Sequence, residues 1–191
     1  MMNDLEKRWD ARWRKKAPQA NWQADPWLKR VLPLLEKGRV LDVACGTGRN
    51  ALFLAEHHFA VTAVDLSVEA LDQLTTEATR RGLAVKTLQV DLESEPLLPE
   101  GPFDLIIDFF YLHRPLLATL VDLLRPGGLL VLRTFSRAGE FPAADLDPRF
   151  VLQPGELLAI FSGWEVLLHE EGLESSSKGG SLAGIVARKP A

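Results

Sequence analysis

The chain has 191 residues, a length that suits one domain with at most a small appendage. Hydrophobic residues at 47%, charged residues at 25%, 14 glycines and 12 prolines exclude a disordered or collagen-like chain, and the net charge of −4 argues against a partner that is mainly nucleic acid. A single cysteine excludes an internal disulfide and a cysteine-based zinc site, and no apolar run approaches the roughly 18 residues that would suggest a membrane span.

The first 24 residues are rich in Trp and Arg, and their charge gives them no signal-peptide core. Asn3 or Asp4 is suited to cap a helix that ends before Pro18. A second helix is expected from Asp25 or Pro26 to Lys37, with Pro33 as a blemish. Strand and helix then alternate. Arg39 to Ala44 reads as a buried parallel strand, followed by Gly46, Gly48 and a helix from Arg49 to His57 or His58. Ala60 to Asp65 is a second strand, and Ser67 caps a helix that runs to Arg81 and closes at Gly82. Ala84 to Val90 and Phe103 to Phe110 are the third and fourth strands. A helix from about Pro115 to Leu124 stops at Pro126-Gly127-Gly128, and Leu129 to Ser136 is the fifth strand. After a loop with Gly139, Pro142 and Asp145, a short helix opens at Pro154-Gly155. Gly163 to Glu171 and Ser181 to Lys189 form a closing pair of strands, joined too briefly for a parallel crossover. The pattern predicts a Rossmann-like three-layer α/β sandwich, mostly parallel, with an antiparallel strand at its end.

In such sheets ligands sit at the carboxyl ends of the strands. Four features fall there. Gly46 and Gly48, after Ala44, let the backbone turn and approach a ligand closely. Asp65 lies 17 residues beyond Gly48 and is placed to accept from ribose hydroxyls. Asp91 and Leu92 are placed for an exocyclic amine and a ring face, and Phe109, Phe110 and Tyr111 end the fourth strand. Each has a bland reading as turn, helix cap or core, but their co-location favours a nucleoside site. The glycine spacing also satisfies the dinucleotide fingerprint. Asp42, four residues before Gly46, disfavours a pyrophosphate and suits a cationic ligand, which favours S-adenosylmethionine over NAD.

At these residues the chain resembles class I S-adenosylmethionine-dependent methyltransferases. CGTGRNALFLA, with Arg49 and Asn50 after the second glycine, is similar to the tellurite-resistance (TehB-type) and thiopurine methyltransferase-like branch. So are Trp9-Asp10-Ala11-Arg12-Trp13 and the stretch from Pro154 to Gly172. The resemblance implies a seven-stranded sheet with its last strand antiparallel. It implies a helical lid over residues 1–24 on a single domain over 25–191. It also implies cofactor contacts from Trp9, Arg12, Trp13, Asp42, Ala44, Gly46, Gly48, Arg49, Asn50, Asp65, Leu66, Asp91, Leu92 and Phe109. Tyr111 and His113 become the candidate catalytic residues, with a helix cap or a surface contact as the alternative role for His113. Arg133 and Arg137 read either as receptors for an anionic substrate or as surface charge. Cys45 reads as a small buried side chain, and the four scattered histidines show no metal spacing, so no metal is expected. Asp108-Phe109-Phe110-Tyr111 lacks both prolines of the D/N-P-P-Y/F motif, which argues against methylation of nucleic acid. The expected acceptor is a small molecule, with a thiol or a metalloid oxyanion suited to a site that shows no strong base. The expected setting is cytoplasmic, as a monomer or homodimer. A non-catalytic cofactor-binding subunit or sensor and a Rossmann oxidoreductase stay as alternatives.

Overall fold

The computed structural model describes residues 4–94, 96–141, 146–176 and 180–191. Asn3, Pro142, Asp145 and the centre of the loop at 177–179 lie outside the described residues. A seven-stranded sheet runs in the order β3-β2-β1-β4-β5-β7-β6, and the chain falls into two compact units, Met1–Glu100 and Gly101–Ala191. Among the described residues no helix is long and apolar enough to cross a membrane.

The first unit holds α1 (Asp4–Lys16), α2 (Pro26–Val31), β1 (Arg39–Val43), α3 (Arg49–Glu56), β2 (Ala60–Asp65), α4 (Val68–Arg81) and β3 (Val85–Gln89). β2 pairs in parallel with β1 on one side and β3 on the other. The buried runs Val40–Leu41 and Val43, and Ala63–Val64, explain why these strands read as continuous apolar segments. Ser67 caps α4 by accepting from Ala70 N, and Gly82 ends it in the left-handed region. α2 is shorter than expected. Pro33 has no N–H for an α-helical bond, and the chain tightens into a 3₁₀ turn over Leu32–Leu34.

α3 ends in a Schellman turn: Phe59 N donates to Leu54 O at 3.1 Å and His58 N to Ala55 O at 3.0 Å. His58 takes the left-handed position of that turn, with φ 66°, where glycine has no Cβ penalty. His58→Gly is therefore expected to stabilise the fold. An L-residue in this region costs about 1–2 kcal/mol, and the extra freedom of an unfolded glycine offsets about half of it. A urea midpoint that rises by the equivalent of about 0.5–1 kcal/mol is the expected result; an unchanged or lower midpoint would contradict it.

The second unit holds β4 (Phe103–Phe109), α5 (Arg114–Leu123), β5 (Leu124–Ser136), α6 (Glu156–Ile160), β6 (Glu165–Ser175) and β7 (Ser181–Arg188). β4 and β5 are parallel, and β7 runs antiparallel to both β5 and β6. The closing pair is thus the expected hairpin, but the antiparallel strand lies between β5 and β6 rather than at the edge. Two boundaries also move. β5 begins at Leu124, and Pro126-Gly127-Gly128 lies inside it, where the register with β4 shifts between Phe103 and Leu105. Gly127 N donates to Lys189 O and Lys189 N to Gly128 O, so the bend is held against the strand end beside it. β6 continues to Ser175, past the expected end at Glu171.

Candidate functional site

The carboxyl ends of β1, β2 and β3 are tied together by backbone hydrogen bonds. Cys45 N donates to Val64 O at 3.0 Å, and Val90 N donates to Asp65 O at 2.9 Å. Asp65 completes the tie through its side chain. Its Oδ2 accepts from Gly46 N at 2.7 Å and its Oδ1 from Ser67 N at 2.9 Å. Burial pushes the Asp65 carboxyl up from its usual range, and these N–H donors oppose the shift. Asp65 therefore fixes the glycine loop and the start of α4 at one point.

The loop turns through three left-handed residues: Ala44 with φ 51°, Gly46 with φ 55° and Gly48 with φ 75°. Ala44 is a non-glycine residue in that region, a strain of the kind concentrated at ligand sites. A Cβ on Gly48 would run into the buried Leu74 side chain, and one on Gly46 would lie 2.8 Å from Trp13 Cζ2. Both positions admit only glycine without displacement of a neighbour.

Asp42 is 2% exposed, and its Oδ2 has no hydrogen-bond partner among the described residues. Burial, reinforced by the Asp65 carboxylate, pushes its carboxyl up to about 8, while a hydrogen bond from the Ala51 backbone and the Arg49 charge pull the other way. A buried acceptor left unpaired costs about 1–3 kcal/mol unless a ligand supplies the donor. Cys45 is half-buried rather than buried; it donates weakly to Gly46 O, and desolvation pushes its thiol well up, so it stays protonated.

The other expected contacts of the first unit are placed as follows. Leu66 is half-buried beside Asp65, and Leu92 is buried in the core. Asp91 accepts from Glu93 N at 3.1 Å and so starts a turn. Arg49 and Asn50 are engaged with Asp25: Asp25 N donates to Asn50 Oδ1 at 2.9 Å, and Arg49 lies 3.3 Å from Asp25 Oδ2. These bonds anchor the start of α2 to the start of α3. Arg12 stacks over the Trp9 ring at 4.7 Å, and Lys16 over the Trp13 ring at 5.2 Å. Trp13 Nε1 is buried without an acceptor among the described residues. Sequence reasoning missed Asp10. It is 6% exposed and accepts from Ser67 Oγ at 2.5 Å and from Glu69 N at 3.2 Å. The signal for it is an acidic residue between two tryptophans in a helix that otherwise presents charge to solvent.

In the second unit, Phe109 is buried at the end of β4, and Phe110 follows with φ 63°, its N–H donating to Arg133 O at 2.8 Å. Tyr111 and His113 are half-buried, with ring centroids 6.5 Å apart. His113 occupies the N-cap position of α5 but makes no side-chain capping bond, so the cap role that competed with catalysis is not exercised through its ring. Arg133 is neither surface charge nor solvated. It is 5% exposed, and its Nη2 donates to Glu174 Oε2 at 2.5 Å. Arg137 is exposed.

Residues 40–128 match the family model described as a methyltransferase domain. The chain is 31% identical over 153 residues to a ubiquinone biosynthesis O-methyltransferase of Caulobacter sp. (strain K31), covering 69% of this chain and 60% of that protein. TehB from Haemophilus influenzae superposes with a TM-score of 0.74 at 21% identity, over 87% of this chain and 62% of that one. A structure concerned with conversion of a disulfide bond into a thioacetal group during echinomycin biosynthesis also gives a TM-score of 0.74. Its identity is 25%, over 97% of this chain and 93% of that one. Residues 40–128 thus match a methyltransferase domain, and the chain shares its fold with TehB. The cofactor of such domains is S-adenosylmethionine, and the residues fit it: the buried, unpartnered Asp42 oxygen beside a glycine turn suits a cationic group to which the carboxyl can give up its proton. The chain spans from about a third to three fifths of the length of the curated relatives it matches.

Proposed function

We propose that the protein transfers a methyl group from S-adenosylmethionine to a small-molecule acceptor whose nucleophile is a sulfur atom or a metalloid oxyanion. The unpartnered Oδ2 of buried Asp42 carries the reading. When bound, the cofactor supplies an electrophilic methyl on a sulfonium. Asp42 would hold its cationic amino-acid end, with the Gly46–Gly48 backbone beside it. Asp65 would accept from ribose hydroxyls, and Leu66, Asp91 and Leu92 would receive the adenine. Trp9, Arg12 and Trp13, on the N-terminal helical segment, would cover it and exclude water. Phe109 ends β4, and Tyr111 and His113 follow it; aromatic faces there would stabilise cationic character by about 0.5–2 kcal/mol each. Tyr111 and His113 would orient the acceptor.

Support for the acceptor class comes from two sides. No step in this arrangement requires a strong base, and a soft nucleophile needs none. The structural relative concerned with a disulfide-to-thioacetal conversion acts on sulfur. The test is release of S-adenosylhomocysteine by the purified chain with a thiol, selenite, tellurite, a small amine or a carboxylate as acceptor. Turnover with a thiol or an oxyanion, reduced at least tenfold in both Tyr111→Phe and His113→Ala, is the expected result. Turnover confined to the amine or the carboxylate would overturn the acceptor class. No turnover with any acceptor, alongside intact cofactor binding, would favour a sensor.

A further inference from the structure

The segment beside the glycine loop is held by polar bonds as well as by the Trp13 ring. Glu6, Asp10, Trp13 and Arg14 are spaced so as to share one side of α1. Gln89 Nε2 donates to Glu6 Oε1 at 2.8 Å, Gln73 Nε2 to Trp13 O at 3.4 Å, and Arg14 Nε to Glu69 Oε2 at 3.2 Å. These contacts involve exposed or half-exposed groups and are individually weak.

Asp10 differs from them. It is buried, and both of its bonds end on one oxygen, Oδ1, which takes the Ser67 hydroxyl and the Glu69 N–H. The helix it meets is already capped, since Ser67 Oγ accepts from Ala70 N at 3.2 Å. An acidic side chain 57 positions upstream is thus not needed to start α4. It does join α1 to the residue two positions after Asp65, and one helical turn further along α1 the Trp13 ring presses on Gly46. The helix N-terminus attracts the carboxylate, which strengthens the joint.

We propose that Asp10 is a positioning residue for the cofactor: it latches α1 to the start of α4 and so seats Trp13 on the glycine loop. Without the latch, the cofactor is held weakly and leaves fast. The proposal rests on the reading that this loop takes S-adenosylmethionine.

The test uses the full chain and S-adenosylmethionine, with affinity from calorimetry and release from stopped-flow tryptophan fluorescence. Asp10→Ala is expected to weaken binding and to speed release about tenfold, with α1 amides exchanging faster than in the unaltered chain while β1 and β2 amides keep their protection. Asp10→Asn keeps one carbonyl oxygen able to accept both bonds, so it is expected to bind within about threefold of the unaltered chain. Trp13→Ala is expected to match Asp10→Ala, and the double variant to lose little more, because both changes remove one seat. Unchanged affinity in Asp10→Ala, failure of Asp10→Asn to restore binding, or full additivity with Trp13→Ala would each overturn the latch. Failure of the unaltered chain to bind would instead overturn the cofactor reading.

Discussion

Asp42→Asn is expected to weaken S-adenosylmethionine binding by tenfold or more and, in the cofactor-free chain, to stabilise the fold at pH 8. The two effects have one cause. The Asp42 carboxyl is raised to about 8 by burial and by Asp65, against about 3.9 in an unfolded chain. Between pH 4 and pH 8 the folded state therefore holds a proton that the unfolded state has lost. Stability falls as pH rises through that window, and the whole penalty is present above it. Asparagine removes the titration. A gain on the order of 2 kcal/mol at pH 8, shrinking toward pH 5, is expected from urea unfolding after allowance for the buried amide. Binding moves the opposite way, because a charge-assisted hydrogen bond is worth about 1.5–3 kcal/mol, or roughly ten- to a hundredfold in affinity. Lower stability together with unchanged affinity would show that Asp42 is a structural group.

Asp65→Asn should harm both properties together. Each carboxylate oxygen accepts one backbone N–H, from Gly46 and from Ser67. Asparagine offers one carbonyl oxygen, and its amide would face one of those N–H groups donor to donor. A buried donor left unsatisfied costs about 1–3 kcal/mol, so a loss of about 2 kcal/mol in urea unfolding is expected. The loop that Asp65 fixes would loosen, and equilibrium dialysis should show cofactor affinity falling by more than tenfold. A variant with normal stability and normal affinity would contradict the role given to Asp65.

Much of the first unit was legible because its signals are local. The Gly46–Gly48 turn, the Ser67 cap and the Gly82 stop act on residues within one helical turn of themselves, so spacing alone locates them. Asp65 was legible by its place at the end of an apolar strand, and the structure adds that it also clamps the loop. What escaped depends on distant partners. The bonds that Asn50 and Arg49 make to Asp25, 24 to 25 residues upstream, have no local signal. Asp10 meets Ser67 and Glu69 across more than 55 residues, a pairing no local pattern announces. In the second unit the hairpin was legible from its short connection. The insertion of β7 between β5 and β6 was not, because a short connection fixes that the two strands pair but not which of them lies inside, although the apolar run of β7 beside the charged β6 carries that signal. The strained Phe110 carries no signal either, since an aromatic residue at φ 63° is set by its surroundings and not by its own preference.

Titration of the cofactor-free chain with S-adenosylmethionine at pH 7, in two buffers of different ionisation enthalpy, tests the central claim most directly. If Asp42 gives up its proton to meet the cationic donor, the chain binds one S-adenosylmethionine and releases close to one proton, and Asp42→Asn releases none. Heat from NAD with none from S-adenosylmethionine, or binding of S-adenosylmethionine with the same proton count in the chain and in Asp42→Asn, would contradict it.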